Sequence, residues 1–217
     1  MNIIGKFATG NKEVEALEYY LTTPTDYKEG ESLPLIVFLH GAGERGDNIE
    51  LVRVHGIPKF FCADNDYKGH RCITLSPQCP EGQVWNNLVC EIKMLTDEIV
   101  EKYNIDKKKI SITGISMGGF GTWSVISQYN DYFSCAAPIC GGGLEWRSDR
   151  LVNMKIWAFH GELDNLVPVS HTKNMVEAIN SKGGNAKMTI YPNVYHDSWV
   201  KAYEESDLID WLLKNEK

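Results

Sequence analysis

The chain has no apolar run near the roughly 20 residues a membrane-spanning helix needs. Its opening stretch, MNIIGKFATGNKEVE, has no basic start leading into a long apolar segment and a small-residue cleavage site. A cytoplasmic location with no membrane partner is the expectation. A dense basic stripe is missing too: beyond Lys107-Lys108-Lys109, which reads as a solvated turn, Lys and Arg are scattered. A net charge of -7 and a pI near 5.4 exclude nucleic acid as an electrostatic partner. No C-x-x-C pair occurs. The six cysteines, Cys62, Cys72, Cys79, Cys90, Cys135 and Cys140, are irregularly spaced in a chain too long to need stapling, so free thiols are expected rather than disulfides or structural zinc. Repeats, low-complexity tracts and interdomain linkers are also lacking. With 217 residues, 43% hydrophobic and 24% charged, the chain reads as one soluble domain that buries about 70% of its unfolded surface.

What is present centres on residues 110–123, ISITGISMGGFGTW, where a β-branched run meets a serine flanked by glycines and then a helix-like continuation over 120–129. Gly114-Ile115-Ser116-Met117-Gly118 fits G-x-S-x-G in the strand-turn-helix context this motif requires. A serine on so tight a turn takes strained backbone geometry, and side chains two positions to either side would clash, which accounts for the glycines. The turn aims the Ser116 hydroxyl out of the sheet beside a helix N-terminus, whose free N–H groups stabilise developing negative charge.

Along the chain, residues 17–22, 35–39, 72–75, 135–139, 155–159 and 187–191 read as further strands. The run 35–39, LIVFL, has the unbroken apolar pattern of a strand covered on both faces. Helices are expected over 87–103, 168–181, starting at its proline, and around 208–213, with a short one at 48–55. Strands alternating with helices imply right-handed β-α-β units, hence an α/β fold with a doubly wound, mostly parallel sheet, helices on both faces and no lid.

In such a sheet the loops at the carboxyl ends of the strands share one face, where ligands bind. Ser116, Asp164 and His196 each follow an expected strand. A nucleophilic serine needs a base near neutrality and a carboxylate that holds the imidazole tautomer, and the chain order Ser, Asp, His is that of α/β-hydrolases. Glu162 shares the Asp164 loop and ranks second as the acid. His40 and His160 precede glycines at strand ends, where they fix loops by hydrogen bonds. The glycine-rich loop after Leu39 has no Lys-Ser/Thr ending of a phosphate loop, so it is read as supplying the second oxyanion donor, from Ala42 or next Gly43, beside the N–H of Met117. Trp85 and Trp199 are candidate walls of a substrate pocket, and Arg45 a candidate contact for an anionic substrate group. No metal or cofactor is implied.

The segments LPLIVFLHGAGERGD, SPQCPEGQVW and YHDSW resemble the small predicted peptidase/esterase group related to carboxylesterases, feruloyl-type carbohydrate esterases and prolyl-oligopeptidase catalytic domains. FHGELDNLVP is similar to the acid loop of dienelactone hydrolases and acyl-protein thioesterases. The α/β-hydrolase resemblance covers residues 35–199. It implies a serine esterase with Ser116, Asp164 and His196 as triad and Ala42 and Met117 as oxyanion hole. The expected reaction is hydrolysis of short-acyl or aromatic, feruloyl-type esters, of small molecules or linked to carbohydrate. A serine peptidase of the prolyl-oligopeptidase type and a non-catalytic hydrolase-fold binding protein are the alternatives.

Overall fold

Residues LPLIVFL form β3 (Leu33–Leu39), and their side chains divide by parity: Leu35, Val37 and Leu39 enter one hydrophobic cluster, Ile36 and Phe38 the other. A strand with no polar face must be covered on both sides. The computed structural model, which describes residues 1–61 and 67–217, covers it. Before it come β1 (Asn2–Ala8) and β2 (Ala16–Thr22); after it come the single helical turn α1 (Ile57–Phe60), β4 (Ile73–Pro77), α2 (Val89–Lys102), β5 (Ile105–Ile115), α3 (Met117–Gln128) and β6 (Cys135–Ile139). The chain continues through β7 (Lys155–Gly161), α4 (Ser170–Ser181), β8 (Lys187–Tyr191), α5 (Trp199–Glu204) and α6 (Leu208–Lys214).

The strands form one eight-stranded sheet in the order β1-β2-β4-β3-β5-β6-β7-β8, antiparallel at β1/β2 and β2/β4 and parallel from β4 to β8. Leu88, Ile92, Trp123, Ile126, Met175 and Ile179 bring α2, α3 and α4 onto one face, while Ile57, Ala202, Tyr203 and Leu212 bring α1, α5 and α6 onto the other. No helix among the described residues is long and apolar enough to cross a membrane.

The register aligns the strand ends that matter. Leu39 pairs with Gly114, Ile115 with Ile139, Ile139 with Phe159, and Gly161 with Tyr191. The loops after β3, β5, β6, β7 and β8 therefore leave the sheet at nearly one level.

Several elements depart from the sequence expectation. The first strand, β1, was not expected, because its alternation is weak and Ile4 is exposed at the sheet edge. Gly5 in it leaves room for the Tyr19 ring, which a Cβ would meet at 2.2 Å. Helix α3 begins directly after Ser116 rather than at Phe120, and α4 begins two residues past Pro168, whose carbonyl accepts from His171 N–H in a preceding turn. The 48–55 segment is a 3-10 turn, Ile49–Arg53. Cys72, Cys79, Cys90, Cys135 and Cys140 are free thiols; Cys62 lies outside the described residues.

Gly118 is the tightest joint. A Cβ there would sit 1.9 Å from Leu39 O and 2.7 Å from His40 O, both backbone atoms of the β3 end. Gly118→Ala is expected to lower stability by about 3 kcal/mol or prevent folding. Urea unfolding of the purified variant checks this, and a midpoint equal to that of the parent contradicts it.

Candidate active site

Ser116 sits at φ 53°, ψ -116°, outside the favoured regions for a residue with a side chain. Its surroundings hold it there. Its N–H donates to Ile139 O at 3.0 Å and approaches Cys140 Sγ at 3.2 Å, and its carbonyl accepts from Phe120 N–H at 3.0 Å. The strain lifts Oγ out of the sheet plane, where His196 Nε2 lies 2.8 Å away. His196 Nδ1 lies 2.7 Å from Asp164 Oδ2. The three side chains the sequence nominated therefore form one continuous relay, half-buried at Ser116 and His196 and buried at Asp164.

Asp164 is held by four donors. Oδ1 accepts from the N–H groups of Leu166 at 3.0 Å and Val167 at 2.9 Å; Oδ2 receives His196 and, at 3.2 Å, His160 Nε2. Burial alone pushes its carboxyl up, but the hydrogen bonds from His196, Val167 and Leu166 outweigh this and hold it below the ordinary aspartate range. Glu162, the second choice for the acid, is exposed and among the described residues accepts only from Asn193 N–H at 3.3 Å. It does not reach the relay.

The two glycine-preceding histidines fix loops. Burial holds His160 below the usual histidine range and hence neutral. Its Nε2–H then faces Val167 O at 2.9 Å as well as Asp164, and Nδ1 accepts from the Thr172 hydroxyl at 2.8 Å. Its contact with Asp164 was not read from sequence; only folding of the 160–167 loop creates it. His40 is fully buried, and burial pulls it down to about 4. Its Nδ1–H donates to Gly41 O at 2.6 Å, and Nε2 accepts from Cys79 N–H at 2.9 Å.

The loop it braces carries Ala42, the first residue of the 3-10 turn Ala42–Glu44, while Met117 opens α3. Among the described residues neither N–H donates a hydrogen bond. The close approach of Gly118 to Leu39 O brings the two loop starts side by side. Gly41 to Gly46 does spell G-x-G-x-x-G, but it opens only this short turn and no longer helix, so it lacks the context of a dinucleotide site.

One substrate-contact expectation needs correction. Trp85 has no exposed surface: its indole N–H donates to His40 O at 2.9 Å and its Cβ fills the space beside Gly121. It supports the loop from behind and lines no pocket wall. Arg45, half-buried, donates to Ala42 O at 3.1 Å and Gln83 O at 3.3 Å and so braces the same loop. Trp199 does stand at the site, edge-on to His196 with ring centroids 5.4 Å apart.

Cys140, Asp164 and His196 offer metal-ligand atoms within 4.8 Å of one another. They are already committed: the carboxylate and imidazole bond each other, and the buried thiol, whose pKa burial pushes up, stays protonated beneath Ser116 N–H. This donor set fits a serine relay better than a metal centre.

A mostly parallel sheet with a serine on a strained strand-to-helix turn, an aspartate after β7 and a histidine after β8 has the architecture of an α/β-hydrolase. Residues 76–207 match the Dienelactone hydrolase family, and the chain belongs to that family. A thermostable esterase of known structure is 31% identical, superposes with a TM-score of 0.86 over 100% of this chain, and is covered over 63% of its own length. A serine-to-alanine mutant of the feruloyl esterase module from Clostridium thermocellum, complexed with sinapinate, shares the fold at TM-score 0.79 and 14% identity, over 99% of this chain and 88% of that one. The bifunctional acetylxylan esterase/xylanase XynS20E of Neocallimastix patriciarum is 26% identical over 106 residues, which are 47% of this chain and 16% of that protein. The chain thus spans under two thirds of the thermostable esterase and a small part of the xylanase.

Because His40 is neutral when folded and titrates near 6.5 when unfolded, the unfolded state binds the extra proton as pH falls from about 6.5 to about 4. Stability conferred by neutral His40 is therefore complete above that window and lost through it, by about 3 kcal/mol at most. Chemical denaturation at pH 7 and pH 4.5 should show the fall, and His40→Gln should flatten it. An unchanged slope in the variant would contradict the assignment.

Proposed function

We propose that the protein is a carboxylic-ester hydrolase that works through an acyl-serine intermediate. The observation that carries this reading is the relay from Ser116 Oγ through His196 to Asp164, at 2.8 and 2.7 Å, with the N–H groups of Ala42 and Met117 left without an acceptor among the described residues. His196 Nε2 takes the Ser116 proton as Oγ attacks the ester carbonyl. The oxyanion that forms is stabilised by Ala42 N–H and Met117 N–H, and His196 passes its proton to the departing alcohol. Water then attacks the acyl-serine along the same path. Asp164, ionised and held by four donors, keeps Nδ1–H of His196 facing it and offsets the imidazolium charge.

Short-acyl or aromatic esters, including carbohydrate-linked ones, fit the site best. Leu163 and Leu166 beside Asp164, and Tyr195 beside His196, are exposed apolar side chains on the loops that carry the relay. They offer contact to a few carbons or one ring, and nothing among the described residues encloses a long chain. The acetylxylan esterase and feruloyl esterase relatives lean the same way.

Ser116→Ala is expected to lower kcat about a millionfold with the fold intact, and Asp164→Asn about ten-thousandfold, because the imidazole is kept in the wrong tautomer. Steady-state kinetics on p-nitrophenyl butyrate with circular dichroism of each variant measures both. Undiminished turnover in Ser116→Ala refutes the reading, and a larger loss in Glu162→Gln than in Asp164→Asn reassigns the acid. A chelator should leave the rate unchanged.

Esters should also be cleaved far faster than anilides, since an amine leaves poorly unless extended contacts hold the substrate in place. The values of kcat/KM for p-nitrophenyl acetate, butyrate and palmitate, methyl ferulate, and alanyl and prolyl p-nitroanilides test this. Butyrate or ferulate should lead and palmitate trail. Anilides within tenfold of the best ester would favour a peptidase.

A further inference from the structure

Helix α3 leaves the reaction centre with one side open. All of its residues are buried except Met117, Phe120, Ser124 and Gln128. Spacings of three and four put these on a single stripe of the helix. Phe120 N–H bonds the carbonyl of Ser116, so the stripe starts at the nucleophile, and Ser124 lies about 12 Å further along, two turns past Ser116.

There the stripe enters a groove of about 390 Å³, a size within the roughly 300–1,000 Å³ of small-molecule sites. Ser124 and Gln128 line it from α3, Asn86 and Asn87 from the 3-10 turn Trp85–Asn87, and Leu144 and Arg147 from the stretch after β6. Asn86, Asn87, Gln128 and Leu144 are exposed, so the groove opens to solvent. Asn86 Nδ2 donates to Ser124 Oγ at 2.6 Å, and Arg147 Nη2 faces Ser127 O and Gln128 Oε1 at 3.4 and 3.3 Å. These bonds set the polar groups in place. Asn86 Oδ1, Asn87 Oδ1, Gln128 Nε2 and the other N–H groups of Arg147 bond nothing among the described residues. Trp146 is 73% exposed, and Arg147 Cζ lies 5.7 Å from its ring centre, so an open aromatic face borders the groove.

The lining selects the occupant. An acyl chain would bury these amides unpaired, at a cost. An extended peptide pairs with a sheet edge, whereas this groove is built of helices and turns. Among the described residues no carboxylate lines it, so a cation finds no counter-charge. Amide groups that accept and donate, a guanidinium fork and a bare indole suit the neighbouring hydroxyls and the C–H face of a sugar ring. We propose that this groove is a distal subsite for the sugar chain of an oligosaccharide ester, held roughly two sugar units from the scissile bond. The proposal rests on the ester-hydrolase reading above and extends it from the ester to the chain that carries it.

The first arm of the test uses unesterified sugars and so does not depend on hydrolysis. Xylotetraose, cellotetraose and arabinotetraose, and the corresponding monosaccharides, are titrated into the full chain by calorimetry. At least one tetrasaccharide should bind about tenfold or more tighter than its monosaccharide. Gln128→Ala and Trp146→Ala, both changes of exposed side chains, should each weaken that binding about tenfold, the scale of a lost hydrogen bond or ring contact. No binding by any tetrasaccharide overturns the subsite, and so does binding that neither variant weakens; hydrolysis of p-nitrophenyl butyrate decides the esterase reading separately in both cases. In the second arm, the acetyl ester of the tetrasaccharide that binds should be cleaved with about tenfold higher kcat/KM than the acetyl ester of its monosaccharide, a gain both variants remove. Binding without that gain separates the groove from the reaction and overturns the subsite. Sugar binding by a chain that cleaves no ester overturns the esterase reading on which the subsite rests.

Discussion

The backbone at Ser116 is the constraint on which the site depends. A residue with a side chain held at φ 53° is strained by roughly 1–3 kcal/mol, and it persists only where the surroundings over-determine it. Here they do so from three directions. The β5–β6 ladder ends on Ser116 N–H, α3 starts from its carbonyl, and Gly118 lies so close to the end of β3 that no side chain fits between them. The same packing brings the start of α3 against the end of β3.

The acid side is built by a different means. Asp164 would be expensive to bury as a lone charge, and four donors compensate it. Two of these come from its own loop and one from neutral His160, so three of the four do not involve His196. His40 plays a parallel part in the loop after β3, buried, neutral and bonded at both nitrogens. Two buried histidines, both uncharged, thus brace the loops after β3 and β7 on either side of His196.

How much of this was legible in the sequence follows from how local each requirement is. The glycines around Ser116 are readable because their reason is steric and lies within five residues. The order of Ser116, Asp164 and His196, each after a strand, is readable because a parallel sheet puts all such loops on one face. Trp85 was misread because composition does not reveal whether an indole turns outward or inward; its place behind His40 depends on Gly121, far along the chain. The bonds of Arg45 to Ala42 and Gln83 likewise exist only in the folded loop. The edge strand β1 escaped because its partner Tyr19 supplies the packing that its own weak pattern does not announce.

The most direct test of the central claim is mass spectrometry of the protein after reaction with a fluorophosphonate at neutral pH. The account predicts one adduct, on the peptide containing Ser116, formed at a rate that falls sharply in His196→Ala. No adduct, or an adduct on another residue while Ser116 stays unmodified, would contradict it.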